Sequence, residues 1–580
     1  MASLQVKMHQ GRKYWCIVES KRVNGKPRSF VVEYLGTADA LLARLSNEGD
    51  GGQHKVKSFS HGAFAALLAI ARKLDIVSII NRHTLSRRSY WPEQPLRNNL
   101  TAGITLLLAA MGRACKPTSK LGWYDDWARE TTCDHLLRIS SARLDSQHFW
   151  DLMDCIPEEA IEKIEQEILQ KVLEYYPIEA GTLLYDTTNF YTFIDSTNDR
   201  CDIARRARNK QKRHDLRQIG LALAVTQKNH IPLLHHTYRG NISDCRVFGE
   251  IIFAIKKRME ELKIDTEQHT IVFDRGCNSK TNLEKVSELK LHYVGALTPS
   301  QHGEIVQAAE GKYTTVQIDG GELEVYREKR EVWGEERTVL VFVSEKLKNG
   351  QLRGIYQSLE KRQILLGKLQ TRLLNPRAKK YSRKTLEKLV NKIIGGQFMK
   401  GLIEYELISL NDGSWTIIHW INQKNITELE DSLGFRIVMT NRHDWTSDKI
   451  IKSFHGQAII ERTFREIKNP HHLAVRPQFH WTDQKIRVHY FICVLGYLLS
   501  TLLLNDAQKN GFAGSLDHLM DALNEIRLSR RIIYSGKQGK PKIEESLEEM
   551  SQEQQTLMQI FNLSAMHLKP FKMQGVNSYS

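Results

Sequence analysis

Two stretches decide the fold: LLYDTTNF (183–190) and IVFDRG (271–276), each a short apolar run that ends on an aspartate. Runs of this length, rich in Leu, Val, Ile and aromatic residues, read as strands. Working outward from them, the pattern predicts strands over 181–187, 218–226 and 232–238. A helix capped by Ser243 follows, whose apolar positions Phe248, Ile251, Ile252, Ile255, Met259 and Leu262 recur at a spacing of about 3.6 residues. Next come the strand that ends at Asp274, a helix near 279–289 and a strand over 292–297. Hairpin-connected strands followed by crossover helices predict an α/β core, a mixed sheet flanked by helices. In that order the first and fourth strands can lie side by side, which would bring Asp186 and Asp274 to one sheet edge.

The flanking regions read differently. Residues 1–46 predict a small β-hairpin element, because KYWCIVESKR and RSFVVEYLG flank Asn24-Gly25, a strong hairpin signal. A Gly-containing stretch, 47–55, leads into a helical region over 60–176. The catalytic domain is expected over 180–299 and 435–500, with an insertion at 300–434. That insertion holds two predicted hairpins around a helical tract, 361–400, with twelve basic residues against the single acid Glu387. A helix is expected from Ser447 to Lys468, stopped by Asn469-Pro470. Residues 501–580 are read as a helical C-terminal region and tail.

Composition limits the function classes. A chain of 580 residues exceeds one ordinary core and predicts roughly three or four domains. Its eight cysteines include no Cys-x-x-Cys pair, which excludes a disulfide miniprotein, a zinc ribbon and a thioredoxin-like motif and fits a reducing compartment. Lys and Arg number 83 against 67 Asp and Glu, a net charge of +16, which favours a polyanionic partner. The longest apolar run, Tyr490 to Leu504, is shorter than a bilayer span and is read as a buried core helix, so no membrane is expected. The N-terminus lacks the features of a signal or transit peptide, so the expected location is the cytoplasm.

The carboxylates carry the chemistry. A lone aspartate at a strand end is commonly a turn or cap residue. Two side by side repel each other and gain most from a hard cation such as magnesium or manganese. Glu461, in AIIERTFREIK (458–468), shares a helix face with Arg465 and Lys468, one anion with two cations. The plainer reading of that face is an intrahelical pair worth about a few tenths of a kcal/mol. The segment 197–218 carries Arg200, Arg205, Arg206, Arg208, Lys210, Lys212, Arg213 and Arg217, which suits a phosphate backbone. No Gly-x-x-x-x-Gly-Lys, Gly-x-Gly-x-x-Gly, His-Glu-x-x-His or Gly-x-Ser-x-Gly motif is present. The pairs His235-His236 and His471-His472 are read as ordinary hydrogen-bonding residues.

Taken in order, LLYDTTNF, RHDLRQIGLALAVTQKNHIPLLHHTYRGNISD, IVFDRGCNS with HYVGAL, and HGQAIIERTFREIKNPHHLAVRPQFH resemble a DDE transposase of a bacterial insertion sequence. The resemblance implies an RNase H-like catalytic domain with a long insertion before the catalytic glutamate. It implies Asp186, Asp274 and Glu461 as the catalytic and metal-binding triad, with two Mg2+ or Mn2+ ions per site, Asp186 bridging both. DNA contacts are expected from Lys468, Arg465, Arg462, Arg213, Arg217, Lys212 and Arg275. Two positions depart from the related Tyr, Arg, Glu, Lys signature: Phe454 stands for tyrosine and Gln457 for arginine. Either Arg462 or Arg465 replaces that lost phosphate ligand or the strand is held differently. The implied reaction is hydrolysis at transposon ends, leaving a 3′-hydroxyl that attacks a second phosphodiester. Implied partners are double-stranded DNA, as inverted-repeat ends and target, and a second copy of the chain in a synaptic dimer. Trp415, Trp420 and Trp445 are candidates to hold a flipped base, although a core role is the commoner one. From the residues alone, a resolvase or nuclease, or a catalytically inactive DNA-binding regulator, stays open.

Overall fold

Alternating side chains from the first residue onward give strands β1 (Ala2–His9), β2 (Arg12–Val23) and β3 (Lys26–Gly36), an antiparallel sheet in that order. The hairpin of β2 and β3 follows the sequence pattern, and β1 adds a strand to it. A computed structural model of the chain describes residues 2–9, 12–23, 26–39, 41–42, 53–85, 97–207, 213–265, 268–534, 542–564 and 566. The turn at Asn24-Gly25 and Lys212 lie outside the described residues. The chain divides into two units: Met1–Ile168 with Glu466–His480 and Gln484–Ser580, and Leu169–Arg465 with Trp481–Asp483.

In the first unit β4 (Gln53–Ser60) precedes the helix Gly62–Lys73, and the apolar helix Ala102–Cys115 is buried along its whole length. Arg113 is buried there because its guanidinium donates to the carbonyls of Ala474, Arg476 and Pro477. His472 is buried with Nδ1 against the carbonyls of Ala114 and Cys115, ordinary hydrogen bonding of the expected kind.

The second unit is built on one sheet. Its strands are β5 (Thr182–Thr192), β6 (Arg205–Arg206), β7 (Arg217–Thr226), β8 (Pro232–Arg239), β9 (Thr270–Phe273), β10 (His292–Leu297), β11 (Thr314–Ile318), β12 (Gly321–Val332), β13 (Glu335–Val343) and β16 (Phe435–Thr440). Their order is β11-β12-β13-β16-β10-β9-β5-β7-β6, with β8 also paired to β7. Strand β5 is antiparallel to β7 and parallel to β9, and β10 is parallel to β9 and antiparallel to β16, a mixed sheet. The helix Asp244–Glu261 covers one face through Phe248, whose ring lies 5.1 Å from Tyr185 and 4.5 Å from Phe273. Ser243 is its N-cap residue, but the Ser243 side chain makes no capping hydrogen bond.

The segment read as an insertion is partly sheet. Strand β13 is buried over most of its length and pairs with β16, because a continuous apolar strand needs cover on both faces. Beyond it, the helices Glu345–Leu374, Arg383–Ile394 and Gln423–Asp431 and the hairpin β14 (Ile403–Ser409) to β15 (Trp415–Ile421) enclose their own core. Ile355, Leu359, Leu366, Val390, Ile403 and Ile417 fill it.

Two helical expectations are corrected. The helix expected over 447–468 is two helices, Ser447–His455 and Gln457–Ile467, broken at Gly456. Gln227 Nε2 donates to the Lys452 carbonyl there, and a Cβ on Gly456 would fall 2.6 Å from that Nε2. The C-terminal region is not wholly helical: β17 (Arg527–Tyr534) and β18 (Lys542–Leu547) pair with each other, and β17 pairs with β4. The directly opposed Arg530 and Glu545 join the two strands through a 2.7 Å ion pair. The run 490–504 lies in the helix Asp483–Lys509, which is long and apolar enough to cross a membrane but has 89% of its apolar window buried inside the protein. All eight cysteines are free.

Gly220 of β7 lies opposite Tyr238 of β8, and a Cβ there would fall 2.2 Å from the tyrosine ring. Gly220→Val is expected to destabilise the sheet by about 1–3 kcal/mol, read as a lower Tm in scanning calorimetry. An unchanged Tm would contradict this packing.

Candidate active site

The parallel register of β5 and β9 creates the site. Tyr185 pairs with Phe273, so the next residues, Asp186 and Asp274, leave neighbouring strands at the same level, on strands about 4.8 Å apart. Tyr185 and Phe273 point to the opposite face, where burial against Phe248 pins the register. Burial also pushes the Tyr185 phenol well above its usual range, which keeps it neutral. Each aspartate turns back on its own chain: Asp186 Oδ1 accepts from the Thr187 amide at 2.7 Å, and Asp274 Oδ1 from the Arg275 amide at 2.8 Å. Asp274 is also the N-cap of the short helical turn Arg275–Cys277.

A further carboxylate, Asp244, escaped the sequence reading. It begins the helix Asp244–Glu261, and its Oδ1 accepts from Thr187 Oγ1 at 2.7 Å. Burial raises the Cys277 thiol well above its usual range, and the charges of Asp186, Asp244 and Asp274 add to that rise. The sequence signal was available: the segment GNISD ends on this residue just after β8.

Glu461 is carried by the helix Gln457–Ile467, which buries Ile460, Thr463, Phe464 and Ile467 and exposes Glu461, Arg462 and Arg465. That is the amphipathic spacing expected of a helix with one face on a core. Phe454 is buried and Gln457 begins the helix with a buried Nε2 that has no hydrogen-bond partner. Arg436 of β16, which sequence reasoning passed over, lies 5.8 Å from the Phe454 ring. Its pKa lies below the usual arginine range through burial first and the Arg275 charge second, while Asp274 and Glu461 oppose that shift. One guanidinium therefore senses Arg275, Asp274 and Glu461 together.

The donor set of three carboxylates, with no thiolate or imidazole, has the hard-oxygen chemistry that magnesium or manganese takes. Among the described residues no group of three His, Cys, Asp or Glu side chains stands close enough to hold one ion.

The expected DNA-binding residues divide. Arg275, Arg462 and Arg465 are exposed, and the Arg462 charge helps to lower the pKa of half-buried His230 after burial. Lys468 follows the end of the Gln457–Ile467 helix and belongs to the first unit. Arg217 donates from its guanidinium to the carbonyls of Ser196, Asn198 and Cys201 and so holds the loop. Arg213 forms a two-point pair with Asp215, whose pKa this hydrogen bonding lowers to about 2, and lies 5.6 Å from the Tyr191 ring. Arg205 pairs with Asp202, and Arg206 donates to Ser196 Oγ at 2.7 Å. Much of the charge read as a phosphate groove thus organises its own loop. Of the tryptophans, Trp445 is buried, Trp420 donates to Glu404, and Trp415 lies 5.4 Å from the Arg383 guanidinium.

A family model described as "Transposase DDE domain" matches residues 191–480. It spans Asp274 and Glu461 and starts just after Asp186. No curated protein matches the chain. Among solved structures, a piggyBac transposase synaptic complex with hairpin DNA is similar, with a TM-score of 0.39 and 8% identity over 79% of each chain.

Arg217→Ala is expected to lower stability by about 1–3 kcal/mol, because three carbonyls lose their donor. Arg213→Ala, with an exposed partner, is expected to cost much less. Equal effects in urea unfolding would contradict the division between the two arginines.

Proposed function

Because the chain belongs to the transposase DDE-domain family, we propose that Asp186, Asp274 and Glu461 are its catalytic carboxylates and act in metal-dependent cleavage and strand transfer at transposon ends. The observation that carries this reading is the parallel pairing of Tyr185 with Phe273, which leaves two carboxylates side by side at a sheet edge. One backbone hydrogen bond to each carboxylate leaves their mutual repulsion in place, and a shared cation would remove it. Asp186 and Asp274 would hold Mg2+ or Mn2+ between the strands, and Glu461 would complete the set from its helix. Bound there, two such ions would polarise the phosphodiester and lower the pKa of the attacking water or 3′-hydroxyl.

The protein's own groups have defined tasks. The Thr187 and Arg275 amides fix the two carboxylates in rotation, so little reorganisation is left for the reaction. Exposed Arg275, Arg462 and Arg465 meet the backbone phosphates on either side of the reacting one. Joining two ends requires two sites, so the working form is a homodimer bound to both inverted repeats and then to target DNA.

Asp186→Asn and Asp274→Asn keep size and remove charge. Each is expected to slow Mg2+-dependent cleavage of end-containing DNA by more than about 100-fold, with DNA binding retained in a mobility-shift assay. Cleavage that survives both changes would sink the assignment. Mn2+ at about 100 times its Kd is expected to stabilise the wild type by about 2.7 kcal/mol in thermal melts. The double variant should show none of that gain, and an equal gain in both would move the ion elsewhere.

A further inference from the structure

Arg436 sits at the same sheet edge, and on the same face, as the two aspartates. Val272 of β9 is level with Val294 of β10, and Ala296, two residues on, pairs with Val438 of β16. Because side chains alternate along a strand, Asp274, Ala296 and Val438 share a face, and Arg436, two residues from Val438, shares it too. β16 runs antiparallel to β10, so that step of two residues carries Arg436 past the row of the aspartates, toward the open edge. The neighbouring helix agrees: Phe342, paired with Arg436, has its ring 6.2 Å from His455, and Arg436 lies over Phe454 of the same helix.

The state of this guanidinium is unusual within the unit. Arg217 donates to three carbonyls, buried Arg337 pairs with Glu335 and Tyr293, and Arg442 donates to Thr270 Oγ1. Arg436 is partly buried, as Arg217 and Arg442 are, yet among the described residues its guanidinium makes no hydrogen bond and no ion pair, only the contact with Phe454. A counterion for Asp274 or Glu461 would touch one of them. Arg436 forms no ion pair with either, while both charges act on it. A fork of five donors facing a carboxylate-lined edge fits a phosphate with two acceptor oxygens.

We infer that Arg436 is a catalytic residue that binds a non-bridging oxygen of the DNA phosphodiester held against Asp186 and Asp274. The charge it meets grows as the attacking oxygen adds to phosphorus, so its hydrogen bonds strengthen on the way to the transition state. Phe454 supports the plane of the fork, an arginine seat that the sequence reading sought on the Gln457–Ile467 helix and the fold provides on β16. The inference rests on the carboxylate assignment proposed above.

The test uses the full chain, Mg2+ and end-containing DNA in single-turnover cleavage, with Asp274→Asn beside Arg436→Ala and Arg436→Lys. Arg436→Ala is expected to cut at least about 100-fold more slowly, to bind DNA within about threefold of wild type, and to keep the wild-type Tm. Added guanidinium ion should restore part of its rate and none of the rate of Asp274→Asn. Arg436→Lys, a point charge without the fork, should fall between and should alter the rate ratio of the two phosphorothioate diastereomers at the scissile phosphate. Should the alanine variant not fold, the diastereomer ratio of the lysine variant decides the question: an altered ratio supports the contact and an unchanged one overturns it. Arg436 variants that cut like wild type while Asp274→Asn is dead overturn this inference alone. A slowed Arg436→Ala that guanidinium does not rescue, with an unchanged diastereomer ratio in Arg436→Lys, also overturns it. If Asp274→Asn cuts normally, the carboxylate reading fails first.

Discussion

Two like charges at the ends of adjacent parallel strands are the constraint around which the second unit is organised. The pairing of β5 with β9 fixes Asp186 beside Asp274. In water two carboxylates about 5 Å apart repel by about 1 kcal/mol, and by more where the sheet lowers the dielectric. The protein opposes that cost from the other face of the same strands. Tyr185, Phe248 and Phe273 interlock there in tilted and edge-on contacts, and Tyr293 continues the row 5.8 Å from Phe273. An aromatic floor of this kind resists the one-residue slip that would turn both aspartates inward.

The same constraint explains where the remaining groups lie. Strand β16 enters the sheet antiparallel to β10, and β13 extends it beyond β16, so a segment distant in sequence brings Arg436 to the carboxylate edge. The break at Gly456 then lets a second short helix present Glu461, Arg462 and Arg465 outward while Phe454, on the first, is buried under Arg436. The net charge of +16 is distributed in the same spirit. Arg205, Arg213 and Arg217 order the loop before β7, whereas Arg275, Arg462 and Arg465 are exposed.

Much of this was legible in the sequence, for identifiable reasons. Short apolar runs that end on Asp186 and Asp274 are strands on any reading, and the hairpin-then-crossover order made their adjacency the natural arrangement. The helix that carries Glu461 was legible because AIIERTFREIK is amphipathic at helical spacing. What was not legible depended on distant partners. Nothing in RIVMT announces that Arg436 shares a face with Asp274, since that follows from register across three strands. Nothing in RLSRRIIY announces a strand rather than a helix until β4 and β18 supply its partners. The donations of Arg217 to three carbonyls were not legible, because a basic residue that orders a loop and one that faces solvent look the same in a charge count.

The proposed function requires that Asp186 and Asp274 share a divalent cation at the edge of this sheet. The most direct measurement is the anomalous difference density of crystals equilibrated with Mn2+. A peak is expected between the two side chains, about 2.1 Å from an oxygen of each, and its loss in Asp274→Asn crystals. A fully occupied Mn2+ site elsewhere, with no density between these carboxylates at saturating metal and bound DNA, would contradict it.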